Sequence, residues 1–155
     1  FLPIFAAYYG MSPTQIGVLL AVNILAIAFL QAYCGRLADR FGRKRLVIIG
    51  SLLDALTLFF VPLTRSFSQL LGLCAFGGSG RALAIPASSA LTVEEGRKYG
   101  MGSAMGVFTM AMSLGMAAGP IIGGLVMDSL GIIAVFLASA LLGLVGTGLF
   151  SWFTR

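Results

Sequence analysis

The chain of 155 residues is 59% hydrophobic and only 10% charged, with a mean hydropathy of +1.02. Long apolar runs with so few charges exclude an ordinary soluble domain and predict membrane-spanning helices. The net charge of +5 does not indicate a nucleic-acid partner, because the basic residues stand beside the apolar runs. With no histidine, few acids and both cysteines inside apolar runs, we expect no metal, no cofactor, no disulfide and no enzyme active site.

The first two spans are predicted at the start of the chain. The sequence opens inside an apolar run, without an initiator methionine or a basic leader, so we interpret residues 1–9 as the outer end of a truncated helix. The second span is predicted over residues 14–34. A capping box marks its start, because Ser12 and Gln15 have the spacing at which each side chain caps the backbone N–H of the other.

Two polar side chains, Asn23 and Gln31, lie within the second span. Each is a candidate for contact with a bound solute. Each could equally tie two helices together by a hydrogen bond, which contributes about 0.6 kcal/mol in membranes. The residues themselves leave both interpretations open.

A strongly basic segment, residues 35–45, follows the second span and holds five of the ten Lys and Arg residues. A short basic loop between two spans lies in the cytoplasm by the positive-inside rule. The same rule places the predicted loop 94–100 and the carboxyl terminus in the cytoplasm and leaves Arg65 outside. The sequence therefore predicts a multi-pass protein of the plasma or inner membrane.

Four further spans are predicted, over residues 46–63, 68–93, 101–127 and 132–150. Asp54 and Arg81 lie near mid-depth in the first two of these. A charge within hydrocarbon costs at least about 2.5–3.5 kcal/mol, so such residues face the bundle interior and find partners. We hypothesise that Asp54 exchanges protons and that Arg81 faces a cavity, where it suits an anionic or carbonyl-rich ligand. A static ion pair that locks two helices is the alternative.

The spacing in the basic segment resembles the signature loop of the major facilitator superfamily of transporters. The matching residues are Gly35, Asp39, Arg40, Gly42, Arg43 and Lys44. In that family the loop joins the second and third helices of each six-helix half. The resemblance implies a cytoplasmic gate in which Asp39 pairs with Arg40 or Arg43 and latches one conformation.

A second pattern, in the fifth predicted span, resembles the fifth-helix motif of the drug/proton antiporter branch. It consists of Gly106, Gly115, Gly119, Pro120, Gly123 and Gly124. Glycines four residues apart share one helix face and let another backbone approach closely. The resemblance implies that this face packs against the opposite half of the transporter, and a generic small-residue packing face is the alternative.

The resemblance covers one half of a transporter that has two related halves. It implies an all-α, six-helix membrane bundle with a truncated first helix, forming a single domain over residues 1–155. Where the amino-terminal half of antiporters usually has an arginine in its fourth helix, this chain has Cys74. That difference favours the carboxyl-terminal half.

The function implied by the resemblance is secondary active transport of a small solute by alternating access, as proton-coupled multidrug-type efflux. The alternatives are proton-coupled transport of organic anions or metabolites, and a non-transporting sensor on the same fold. The expected partners are the lipid bilayer, the missing six-helix half, a small-molecule substrate and protons.

Overall fold

The computed structural model describes the backbone of residues 1–154 and the side chains of all of these except residues 32, 34–41 and 99. This part of the chain is helical and contains no strand. The helices are α1 (Leu2–Tyr8), α2 (Pro13–Phe41), α3 (Arg43–Phe60), α4 (Phe67–Tyr99), α5 (Met101–Leu130) and α6 (Ile132–Phe153). The last five are long and apolar enough to cross a membrane, which confirms the predicted all-α membrane fold.

The start of α2 has the predicted capping box. The Gln15 backbone N–H donates to Ser12 Oγ at 3.3 Å, and the Ser12 backbone N–H donates to Gln15 Oε1 at 2.9 Å. Two of the N–H groups that lack helical partners at a helix start are thereby satisfied. The capping-box prediction is confirmed, and it sets the entry of the chain into its first long span.

Three of the connections between helices consist of one glycine each. Gly42 lies between α2 and α3, Gly100 between α4 and α5, and Gly131 between α5 and α6. Their φ values are 86°, 106° and 84°, in a region that glycine enters readily and that residues with a Cβ avoid. One residue of this kind is enough to end one helix and begin the next.

The loops predicted at residues 35–45 and 94–100 are therefore wrong. Residues 35–41 continue α2, residues 94–99 continue α4, and the turn predicted at residues 128–131 is helical up to Leu130. Charged residues end a membrane span without ending a helix, because Arg, Lys, Glu and Leu are good helix formers. The 29 residues of α2 are about 44 Å long, more than the roughly 30 Å of the hydrocarbon core.

The helix α4 is the centre of the bundle and packs against α2, α3 and α5. Its glycine cluster faces two neighbours at once. A Cβ at Gly77 would meet Thr57 of α3 at 2.8 Å, whereas a Cβ at Gly78 would meet the Ala26 methyl group of α2 at 2.8 Å. The cluster therefore lets α4 approach both neighbouring helices at close range.

The closest approach of α3 and α4 is at Gly50 and Gly80. A Cβ at Gly80 would lie 2.8 Å from the Gly50 carbonyl oxygen and 3.0 Å from the Asp54 backbone nitrogen. Neither backbone can move away without separating the two helices. This contact brings the third and fourth spans together one residue before Arg81.

The glycine face of α5 has a different environment. No residue of α5 is buried, and a Cβ at Gly106, Gly115, Gly119 or Gly124 would meet nothing within 4 Å. Gly123 is the exception, because the Phe1 ring covers it. Pro120 lies inside the helix without ending it. The described part of the chain therefore leaves most of this face open, and its packing against another half remains a prediction.

Replacing Gly80 by alanine should destabilise the protein, because the added methyl group would separate α3 from α4. Overpacking of this kind typically costs about 1–3 kcal/mol. Gly72→Ala is the matched control, since it lies in the same helix and its Cβ would meet nothing within 4 Å. Thermal unfolding of the purified protein in detergent should show a lower midpoint for Gly80→Ala alone. Equal midpoints for both variants would contradict the close contact.

Candidate functional site

The two charges within the spans form an ion pair. Arg81 Nε on α4 donates to Asp54 Oδ1 on α3 at 3.0 Å. The Gly50–Gly80 contact makes this reach possible by bringing the two backbones together. The side chains are 45% and 29% exposed, respectively, in this chain. The pair is therefore accessible from the clefts around it, and it is not sealed in the core.

The pair lies between two clefts of similar size. One, of about 530 Å³, extends along α3, α4 and α6 toward the carboxyl end of α6. The other, of about 430 Å³, extends toward α1 and the amino end of α6. The clefts share the lining residues Asp54, Leu58, Arg81 and Ser139. The ion pair thus stands at the boundary between two compartments of the bundle.

Asn23 lines the second of these clefts and also joins two helices. Its Nδ2 donates to the Cys74 backbone carbonyl at 2.8 Å, across from α2 to α4. Cys74 itself is buried. The tie between helices is thus present in the structure. Contact with a solute would have to use the second N–H or the Oδ1 of the amide.

Gln31 lies apart from the other predicted site residues. Its side chain is exposed and lines neither cleft. Within the described part of the chain it makes no hydrogen bond. The structure therefore brings Asn23, Asp54 and Arg81 to one region and does not bring Gln31 to it.

The basic end of the bundle is held by contacts from the start of α3. Arg43 Nη1 donates to Glu94 Oε2 at 3.2 Å and to the Ala90 carbonyl at 3.4 Å, and Lys44 Nζ donates to the Thr154 carbonyl at 2.9 Å. Thr154 caps the carboxyl end of α6, where carbonyl groups lack helical partners and a basic side chain is stabilising. Ala90 and Glu94 lie within the last third of α4. These contacts join α4 and the carboxyl end of α6 to the start of α3.

Of the other predicted gating residues, Gly42 is the connection between α2 and α3. The side chains of Asp39 and Arg40, and the surroundings of Gly35, lie outside the described residues. The predicted pairing of Asp39 is thus left as a prediction.

Two residues of the site were missed by reasoning from sequence. Glu94 was predicted only as the start of a loop, although an acid followed by Arg97 and Lys98 was a detectable signal. Ser139 gave no such signal, because a serine in an apolar helix commonly bonds its own backbone. Only the packing of α6 against α3 brings it to the clefts that the ion pair lines.

An α-helical membrane bundle with an accessible charge pair at mid-span is the architecture of a polytopic transport protein. The family model of the Major Facilitator Superfamily matches residues 1–155. This chain belongs to the major facilitator superfamily.

The chain is similar to several curated members of the family. It is 30% identical over 154 residues to the multi-drug resistance efflux pump PmrA of Streptococcus pneumoniae, covering 97% of this chain and 37% of that pump. It is 27% identical to an uncharacterised MFS-type transporter of Methanocaldococcus jannaschii, covering 94% of this chain and 37% of the relative.

A third relative, the quinolone resistance protein NorA of Staphylococcus aureus, is 25% identical over 79% of this chain and 32% of its own length. The chain thus spans about a third of the length of the curated relatives that it matches. No solved structure matches the chain significantly.

Replacing Asn23 by leucine should lower stability by removing the hydrogen bond between α2 and α4. Such bonds contribute about 0.6 kcal/mol on average and at most about 1.7 kcal/mol. Gln31→Leu is the matched control in the same helix and should have no effect, because its side chain is exposed. The measurement is the thermal unfolding midpoint in detergent. An unchanged midpoint for Asn23→Leu would refute a structural role for this bond.

Proposed function

We propose that this chain is one six-helix half of a secondary active transporter that moves a small solute by alternating access. The observation that carries the proposal is the accessible Asp54–Arg81 pair between two clefts, in a member of a transporter family. Charges at mid-membrane commonly mark solute or ion pathways. Multidrug efflux is the favoured activity, because two of the similar proteins are named for drug resistance.

The chain supplies the carboxyl-terminal half in this proposal, and the lipid bilayer and the other half are its partners. The chain covers 37% of the efflux pump PmrA, which is enough for most, but not all, of one half. The open glycine face of α5 supports contact with the other half, because close packing needs a backbone that nothing else covers. The clefts would then face the interface between the halves, where solutes bind in such transporters.

The proposed orientation places the basic end in the cytoplasm. Among the described residues this end carries Arg43, Lys44, Arg45, Arg97 and Lys98, whereas Arg65 lies at the opposite end. This distribution supports the orientation through the positive-inside rule.

The contacts at the basic end supply the proposed gate. Arg43 and Lys44 hold the ends of α4 and α6, and Gly35, Asp39, Arg40 and Gly42 would complete the latch. Opening of this end requires the Arg43–Glu94 pair to separate. Both side chains are partly exposed, so water can replace the contact at little cost.

Asp54 is the proposed proton-coupling group and Arg81 the proposed solute contact, with Asn23 and Gln31 as further candidate contacts. The pair is neutral as a unit, so any charged solute disturbs it. A cationic solute competes with the proton for Asp54 and should expel it, which is antiport. An anionic solute competes with Asp54 for Arg81 and should favour proton uptake by Asp54, which is symport.

Antiport and symport move protons in opposite directions relative to the solute. The direction of proton movement can therefore be measured in inverted vesicles with a pH-reporting dye. The complete transporter that contains this chain would be compared with its Asp54→Asn and Asp128→Asn variants. Asp128 is the control, because it is an exposed acid at the end of α5. For drug antiport, an added cationic drug should release protons from vesicles acidified inside, and Asp54→Asn should abolish this release.

Retained coupling in Asp54→Asn would show that the acid is structural and that coupling resides in the other half. Loss of coupling in both variants would indicate a general defect and refute a specific role for Asp54. If no solute of any charge moves protons in the wild type, the proton-coupled transporter is refuted.

A further inference from the structure

We propose that Arg81 and Ser139 form a subsite for an oxyanion, the carboxylate of an amphiphilic organic solute. The proposal rests on the proposed transport function, since it names the class of solute that this region receives. By the coupling argument above, it takes the anionic case, which is symport, in place of efflux of a cationic drug. It adds a residue of α6 to the site and assigns to Arg81 a specific mode of binding.

The ion pair leaves most of the Arg81 guanidinium unused. A guanidinium has five N–H donors, and the bond to Asp54 uses the one on Nε. Within the described part of the chain Arg81 makes no other hydrogen bond. Its two terminal amino groups therefore present the planar edge that binds a carboxylate through two parallel hydrogen bonds.

Ser139 on α6 supplies an additional donor in the same clefts. It lines both clefts together with Arg81. Two other hydroxyl groups of α3 and α6 bond to carbonyls of their own helix, Thr57 to Leu53 at 2.8 Å and Thr147 to Gly143 at 2.7 Å. Ser51 of α3, which lines the first cleft, makes no hydrogen bond within the described residues. Among the described residues Ser139 has no such bond, so its O–H is available to a ligand.

The balance of donors and acceptors favours an anion over a cation. Free donors comprise the terminal amino groups of Arg81 and the Ser139 hydroxyl, whereas Asp54 offers a single carboxylate oxygen that is not already bonded to Arg81. Arg81 is also the more exposed partner, at 45% against 29% for Asp54. A ligand that approaches the pair thus meets more free N–H donors from Arg81 than free carboxylate oxygens from Asp54, while the net charge of the pair is zero.

The other residues that line the clefts indicate the size and polarity of the part of the solute that carries the carboxylate. Leu58, Val135 and Phe136 are apolar, and the two clefts have volumes of about 430 and 530 Å³. Clefts of this size accommodate a drug-sized molecule. The solute class is therefore an organic anion with one carboxylate and an apolar body.

The test measures binding of three probes that share one apolar body: 4-phenylbutyrate, 4-phenylbutyramide and 4-phenylbutylamine. Equilibrium dialysis would use the complete transporter in nanodiscs. We expect the carboxylate to bind at least tenfold more tightly than the amide, and the amine to bind most weakly. Equal binding of carboxylate and amide, or preference for the amine, would overturn the proposal.

Three variants assign the binding to the proposed atoms. Arg81→Lys keeps the positive charge beside Asp54 but loses the planar edge, so carboxylate binding should weaken at least tenfold. Ser139→Ala should weaken it about three- to tenfold, and Ser113→Ala, an exposed serine on α5, should not change it. If Arg81→Lys elutes as a single folded species and binds 4-phenylbutyrate like the wild type, the subsite is refuted. If Arg81→Lys does not fold, wild-type binding of 4-phenylbutyrate by Ser139→Ala refutes it instead.

This outcome is separable from that of the transport proposal. Carboxylate binding without any solute-driven proton movement would refute proton-coupled transport and leave the subsite standing. Proton release on addition of cationic drugs, with no carboxylate binding, would refute the subsite and leave the transporter standing.

Discussion

The constraint on which this structure depends is the cost of charge within hydrocarbon. Asp54 and Arg81 each need a partner, and each is the other's partner at 3.0 Å. That distance requires α3 and α4 to lie unusually close, which Gly50 and Gly80 permit because neither has a Cβ. The central position of α4, the joint boundary of the two clefts and the candidate site all follow from this one approach.

The pair combines a structural and a functional capacity that are often treated as alternatives. It joins two spans, yet it uses one N–H of the arginine and remains open to both clefts. A pair that was buried and fully bonded would serve only as a lock. Because this pair is partly exposed and keeps N–H groups free, the proposed competition by a solute or a proton would not require α3 and α4 to separate.

The basic end follows a different physical rule, the satisfaction of helix ends. Single glycines connect α2 to α3 and α4 to α5, so helices continue beyond the membrane and end close to one another. Arg43 and Lys44 then reach carbonyl oxygens at or near the ends of α4 and α6. These contacts lie in partly exposed positions, where water competes with them.

The sequence by itself determined the all-α membrane class, the capping box at Ser12 and the presence of two charged residues within apolar helices. Each of these depends on composition, on apolar length or on residues a few positions apart, which are local properties of the chain.

Only the tertiary structure decided that residues 35–41 are helical, that Gln31 lies apart and that Ser139 lines the same clefts as Arg81. It also decided that the arginine binds Asp54 through Nε alone. The reason is that helix packing sets which residues of distant spans meet and which donors remain free. A helix that continues past a charged segment ends at the next glycine with a positive φ, such as Gly42 after α2. Hydropathy does not show this, because it reports only where the apolar run ends.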